Sequence, residues 1–468
     1  MRLRSILPCL LLPVAVAAQR PAITPGQRPF VTVDSPLVAL THVRLIDGTG
    51  GPVREDQTIV VRDGRIVAVG ASAGLTAPRS AVVFDLTGHT VTPGFVGLHE
   101  HTYFSATTRT TQMSQSGPMA YLALGVTTIR TAGSMFPYQE LNMKRAVERG
   151  DLPGPRMHIT GPYLNGSAGA ASGNRGLTSP DEGRRVVAYW AEEGATWLKL
   201  QGSITRAVAG AVIDEAHKHG MGVTGHLCSL SFADAAALGI DALEHGFITN
   251  SAYVPGKRPD VCPPENMRIQ ADVDVKSPEV QASIRDLVAK RVALTSTLAV
   301  YETFMPGMQL NARAMDLLAP DTRREVEEAH AAIGKDGLVV PSRLLKKMMQ
   351  WERDFVRAGG LLGAGVDPWG TGMLPGFGDL RNYELLVEAG FAPAEAIRIM
   401  SLNGATILKE AADRGSVEVG KAADLVVIRG NPVSNARDIY EVVTVIRDGV
   451  GYDTARMLAA IKGLVGVR

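Results

Sequence analysis

The chain has 468 residues, 45% of them hydrophobic and 20% charged, and its 48 basic side chains nearly cancel its 47 acidic ones. That balance excludes a disordered chain and a charge-built surface for nucleic acid or anionic membrane. Three cysteines in this length exclude a disulfide scaffold, and the length calls for one large domain with a smaller one beside it.

Arg2 and Arg4 precede an apolar stretch, Ile6 to Ala18, that is too short to span a bilayer and ends in small residues. It reads as a secretory signal peptide over residues 1–18, placing the mature chain in the periplasm or outside the cell with no stable membrane insertion after cleavage. Cys9 leaves with it. Cys228 and Cys262 remain and could pair in an oxidising compartment, although their spacing does not require it. Residues 19–36, rich in proline and polar side chains, read as a linker.

From Leu37 the pattern is short strands punctuated by turns. Val43–Ile46 runs into Asp47-Gly48 and Thr58–Arg62 into Asp63-Gly64, and Asp-Gly between β-branched runs is a strong hairpin signal. The same pattern returns at Ala423–Ile428 and at Val442–Arg447 before Asp448-Gly449. Residues 37–88 and 415–454 are therefore expected to form one composite β-sandwich from both ends of the chain, followed by a C-terminal helix over 455–468.

Between them, over 89–414, apolar runs of strand length alternate with helical stretches, the signature of βα units. Eight strands are predicted: Val91–Leu98, Val126–Thr131, Met157–Gly161, Trp197–Leu200, Gly222–Gly225, Ala242–Glu244, Val292–Leu298 and Leu361–Val366. Ser179-Pro180 opens a helix that Gly194 closes, and another runs from Thr205 to a stop at Gly220. The fold class is α/β, a (β/α)8 TIM barrel with a long charged helical insertion, Asn311 to Gly360, before its last strand.

Chemistry in such barrels sits at the C-terminal ends of the strands. There the sequence places His99 and His101, Lys199, His226, His245 and Asp367. Residues two apart in a strand share a face, so His99 and His101 can both look toward the barrel axis. Singly, each has an ordinary reading: an isolated His-x-His is weak evidence, and a lone strand-end histidine is more often a hydrogen-bonded structural one. Four of the ten histidines at successive strand ends, joined by Lys199 and Asp367, instead point to a divalent metal site.

These pieces resemble the amidohydrolase superfamily, in its imidazolonepropionase-like and prolidase-like branch. The matching segments are VTPGFVGLHEH (91–101), GVTTIR (125–130), GATWLK (194–199), DEAHKHG (214–220), LEHG (243–246), GVD (365–367) and VGKAADLV (419–426). The resemblance implies two divalent ions, zinc foremost: one held by His99, His101 and Asp367, the other by His226 and His245. Lys199 would bridge them as a carbamate formed with carbon dioxide, because an ammonium has donors only. A hydroxide between the ions would be the nucleophile and Asp367 the proton shuttle. The sequence departs from the family pattern at Gly97, where an aspartate is usual, at Thr131 after Arg130, at Val366, and in a glycine-rich loop from Leu164 to Gly176 that lacks a histidine.

The pocket is expected to be lined by Tyr103, Tyr301 and neighbouring loops, with Arg130 as a partner for a substrate carboxylate. The leading substrate class is a dipeptide or N-acyl amino acid cleaved at its amide. A cyclic amide comes second, and an ester or lactone is compatible with the same centre. A single-metal enzyme with unmodified Lys199 and a non-enzymatic binding relative are the other readings. No nucleic-acid partner is expected, and homo-oligomerisation is left open.

Overall fold

A computed structural model describes residues 22–106, 109–166, 174–264, 269–335 and 339–466. The signal-peptide segment and much of the glycine-rich loop lie outside the described residues. Eight parallel strands form the barrel: β1 (Phe95–Glu100), β2 (Val126–Thr131), β3 (Arg156–His158), β4 (Trp197–Leu200), β5 (Gly222–Gly225), β6 (Ala242–Glu244), β7 (Ala293–Ser296) and β8 (Leu362–Ala364). β8 pairs with β1, so the ends of the chain order meet. On the other side, Thr196 N donates to Ile159 O and joins β4 to the end of β3. The third strand is broken at Gly161, and Tyr163–Gly166 resumes the pairing with β4. Strands buried on both faces suit the continuous apolar runs of the sequence.

The helices outside follow their caps. Pro180–Glu193 begins with the Ser179 side chain accepting from Glu182 N and stops at Gly194, whose φ of 96° a side chain would strain. It buries Val187 and Trp190 against the barrel. The Asn311–Gly360 insertion resolves into Ala312–Met315, Pro320–Ala332 and the strongly amphipathic Ser342–Arg357.

β1 carries the detail that sets the site. Its pairing with β2 shifts register between Ile129 and Thr131, so Leu98 and His99 together lie opposite Arg130. This is a bulge. Below it Val96 and Leu98 pack with Trp197, Ala242, Ala293 and Ala405; above it His99 and His101 take over the inward face.

The small domain is one nine-stranded sheet containing strands from both chain ends. It curls on itself: Ile66 N donates to Lys421 O and Ala423 N to Gly64 O, enclosing Val38, Leu40, Ile59, Val91, Leu425 and Ile446. Two boundaries differ from expectation. Val31–Val33, within the expected linker, is a strand paired with Val450–Asp453, because that edge would otherwise present unpaired backbone groups. His89–Pro93 pairs with Leu425–Arg429 in the small sheet, so the barrel begins only at Phe95. Among the described residues, no helix is long and apolar enough to cross a membrane.

Candidate metal centre

The strand ends bring the expected side chains together. His101 Nε2 lies 3.2 Å and His99 Nε2 3.7 Å from Asp367 Oδ1, while His245 Nε2 is 3.9 Å from Asp367 Oδ2. The His226 ring stands 4.6 Å from that of His245. The backbone is bent to achieve this: His245 and Asp367 both adopt left-handed φ, 65° and 52°. Such conformations cost free energy and persist where surrounding structure enforces them. Here Asp367 N donates to His99 O at 2.8 Å and His245 N to Thr295 O at 3.1 Å. Gly365 permits the approach, since a Cβ there would meet His99 N at 2.3 Å.

The outer partners orient the rings. His99 Nδ1 is 2.8 Å from Glu244 Oε2, and His245 Nδ1 is 2.8 Å from Thr297 Oγ1. The Glu244 carboxylate takes the Nδ1 proton of His99 and leaves its Nε2 lone pair toward Asp367, the arrangement of a metal-binding histidine; His245 likewise turns its Nε2 toward Asp367. Burial pushes the His99 and His245 imidazoles well below their ordinary value. Burial, with the nearby Lys199 charge, brings His226 to about 4. All three are therefore neutral at physiological pH, the form that ligates a cation. Burial would raise the Asp367 carboxyl, but His99, His101 and Lys199 outweigh it and hold it well below the usual range. Lys199 is fully buried, and burial brings its ammonium down to about 8 against the pull of Glu244 and Asp367.

A divalent cation fits this set. His99, His101 and Asp367 can bring one donor atom each within 4.8 Å of one another. His245 Nε2 is buried without a hydrogen-bond partner, an arrangement that costs free energy unless a cation or water takes the lone pair.

The three expected substrate residues fare differently. Tyr103 stacks on His101 with centroids 4.8 Å apart, and Tyr301 meets His245 edge-on at 5.6 Å, so both border the centre. Arg130 does not face a substrate. Its guanidinium is wholly buried, paired with Glu244, bonded to Leu98 O at 2.8 Å and stacked over Trp197 at 4.6 Å. A carboxylate as deep as Glu244 needs a cation, and Arg130 supplies it.

Glu244 and Tyr163 are the residues that sequence reasoning missed. Glu244 accepts from Arg130, Thr224 and His99; its signal was a carboxylate in an interior strand, costly unless paired. The Tyr163 hydroxyl meets that of Tyr103 and lies 3.4 Å from His101 Nε2. Cys228 and Cys262 form a disulfide, tying the loop after β5 to the proline-rich loop after β6.

The model of the amidohydrolase family matches residues 90–451. The chain belongs to the amidohydrolase family. It is similar to an enamidase of Eubacterium barkeri, 26% identical over 265 residues, covering 52% of this chain and 63% of that one. A deacetylase of Agrobacterium fabrum is 31% identical over 112 residues, 24% of this chain and 26% of the relative. The chain thus spans less than two thirds of the length of these curated relatives. Among solved structures, one from Bifidobacterium longum, described provisionally as a prolidase, is 26% identical with a TM-score of 0.64, covering 89% and 94% of the two chains. A Xaa-Pro dipeptidase with bound methionine shares the fold at 20% identity, TM-score 0.65, over 89% of this chain and 100% of that one. A bottromycin amidohydrolase does so at 18% identity, TM-score 0.67, over 94% and 95%.

Proposed function

We propose that this protein is an exported binuclear metal-dependent hydrolase that cleaves the carbon–nitrogen bond of a dipeptide or N-acyl amino acid. The observation that carries the reading is the convergence of His99, His101 and His245 on the Asp367 carboxylate at the C-terminal ends of the barrel strands. Family membership and the provisionally described prolidase structure favour amide substrates. The Cys228–Cys262 disulfide supports export, since such bonds persist in oxidising compartments.

His99, His101 and Asp367 would hold one ion, and His226 and His245 the other, with Lys199 as bridging carbamate. Divalent ions such as zinc, when bound there, would lower the pKa of a bound water and polarise the scissile carbonyl. Carbamate formation needs a neutral amine, and burial brings the Lys199 ammonium to about 8, within reach of that form near neutral pH. Asp367, ionised and beside the imidazoles, accepts the proton of the attacking water and returns it to the leaving nitrogen. Tyr103 and Tyr301 border the substrate; its carboxylate, where present, is not met by Arg130.

A panel of dipeptides, N-acyl amino acids, cyclic amides and esters, assayed with zinc-reconstituted protein, tests the reading. Fastest turnover of a linear amide is expected. Turnover confined to cyclic amides or esters would overturn the substrate class, and protein that neither binds metal nor hydrolyses any member would overturn the enzyme reading.

A further inference from the structure

Glu100 lies between two metal-site histidines, yet the bulge in β1 turns it away from the barrel axis. Its side chain folds back along the strand over Gly97, where a Cβ built on the backbone would sit 2.4 Å from Glu100 Oε1. Only glycine leaves that space free. The Glu100 carboxyl is wholly buried and joins three backbone segments that carry the site. Oε1 accepts from Val366 N at 3.2 Å, one residue before the left-handed Asp367. The Glu100 carboxyl also faces that of Asp379, which caps the helix Phe377–Glu388 by accepting from Gly376 N at 3.0 Å. Beside Glu100, the Tyr121 hydroxyl donates to His101 O at 3.0 Å and accepts from His101 N at 3.3 Å.

We propose that Glu100 is a positioning residue of the metal centre: reaching back over Gly97, it fixes the backbone that presents Asp367 and His101. Covalent geometry supports this. The gap from the Gly97 Cβ position to Glu100 Oε1 equals the span from an aspartate Cβ to its own carboxylate oxygen. An aspartate at 97 can therefore reach the point where Glu100 now sets an oxygen, which makes the two positions candidate alternative sources of the same acceptor for Val366 N. This inference rests on the reading of Asp367 as a ligand and proton carrier.

The test compares the full chain with Glu100→Ala, Glu100→Gln, the double variant Gly97→Asp with Glu100→Ala, and Asp367→Asn. Zinc affinity by competition with a chelating dye is the first readout, because it needs no substrate; kcat and KM on the best amide of the panel are the second, and circular dichroism establishes that each variant is folded. Glu100→Ala is expected to weaken zinc binding and lower kcat by roughly 10–100-fold, the usual effect of losing an outer partner of a metal ligand. Glu100→Gln, which keeps the acceptor, and the double variant, which moves it to position 97, are expected to recover most of that loss. Folded Glu100→Ala with parental zinc affinity and kcat would overturn the inference. So would a double variant no better than Glu100→Ala while Glu100→Gln recovers neither readout. If Asp367→Asn is itself indistinguishable from the parent, the functional reading fails and this inference with it; if only Asp367→Asn is defective, this inference alone fails.

Discussion

At the mouth of the barrel, four imidazoles and a carboxylate face one another, and His245 Nε2 is buried with no hydrogen-bond partner. At the opposite end the same residue types are spent on each other. Arg156, at the start of β3, holds Asp424 and Asp448 of the small domain, and His158 places Nε2 3.2 Å from Glu410 and Nδ1 3.3 Å from Thr196 Oγ1. Both regions are polar and neither is fully exposed, the first being buried and the second half-buried, so polarity alone does not separate them. What separates them is satisfaction: groups paired within the chain hold domains together, whereas groups aimed at one point and left unpaired await a ligand.

That contrast breaks most sharply at Asp367. Asp367→Asn is expected to lower kcat by about a thousand-fold, within the range for loss of a general acid–base group, with the thermal midpoint nearly unchanged. Lys199→Ala should reduce metal content from two ions to at most one by elemental analysis, with activity down on the order of 100-fold. Unchanged stoichiometry would show that Lys199 does not bridge.

At the other end the effects invert. Arg156→Ala leaves Asp424, whose side chain is 4% exposed, without its cation. About 2–3 kcal/mol of stability should be lost, at the lower edge for a broken buried pair because Arg156 keeps some solvent contact. Denaturant titration reads this loss, and kcat should stay at the parental value.

Glu352, on the Ser342–Arg357 helix, sharpens the comparison from between the two ends. Burial, against one hydrogen bond from Ser296, raises its carboxyl from 4.5 to about 8. The unfolded chain thus releases this proton at lower pH than the folded one. Its contribution to stability is present below pH 4.5 and is lost as pH rises toward about 8. Glu352→Gln should flatten the decline of the thermal midpoint across that window. The smallest effect is expected at Ser179, where replacement by alanine removes a helix cap and costs about 1 kcal/mol.

Much of the barrel was legible because its signals are local. Trp197–Leu200, Gly222–Gly225 and Ala242–Glu244 occupy the predicted spans, and Ser179 and Gly194 bound their helix as their cap chemistry requires. The ligand candidates were legible for a related reason: strand ends are recognisable, and their side chains must converge once the sheet closes. Arg130 was misread because nothing local distinguishes a guanidinium offered to a substrate from one paired with Glu244, 114 residues away. The strand at Val31–Val33 was hidden too, since three residues become a strand only when an edge such as Val450–Asp453 is there to receive them.

The sequence by itself determined the repeating βα order, the helix boundaries and which histidines stand at strand ends, because periodicity and capping act over a few residues. Tertiary structure alone decided which partners meet the rings of His99 and His245, that His245 and Asp367 turn left-handed, and that Glu100 faces Asp379 instead of the barrel axis. Those outcomes depend on register and on partners distant in sequence, and a single bulge in β1 moves every side chain after it to the opposite face.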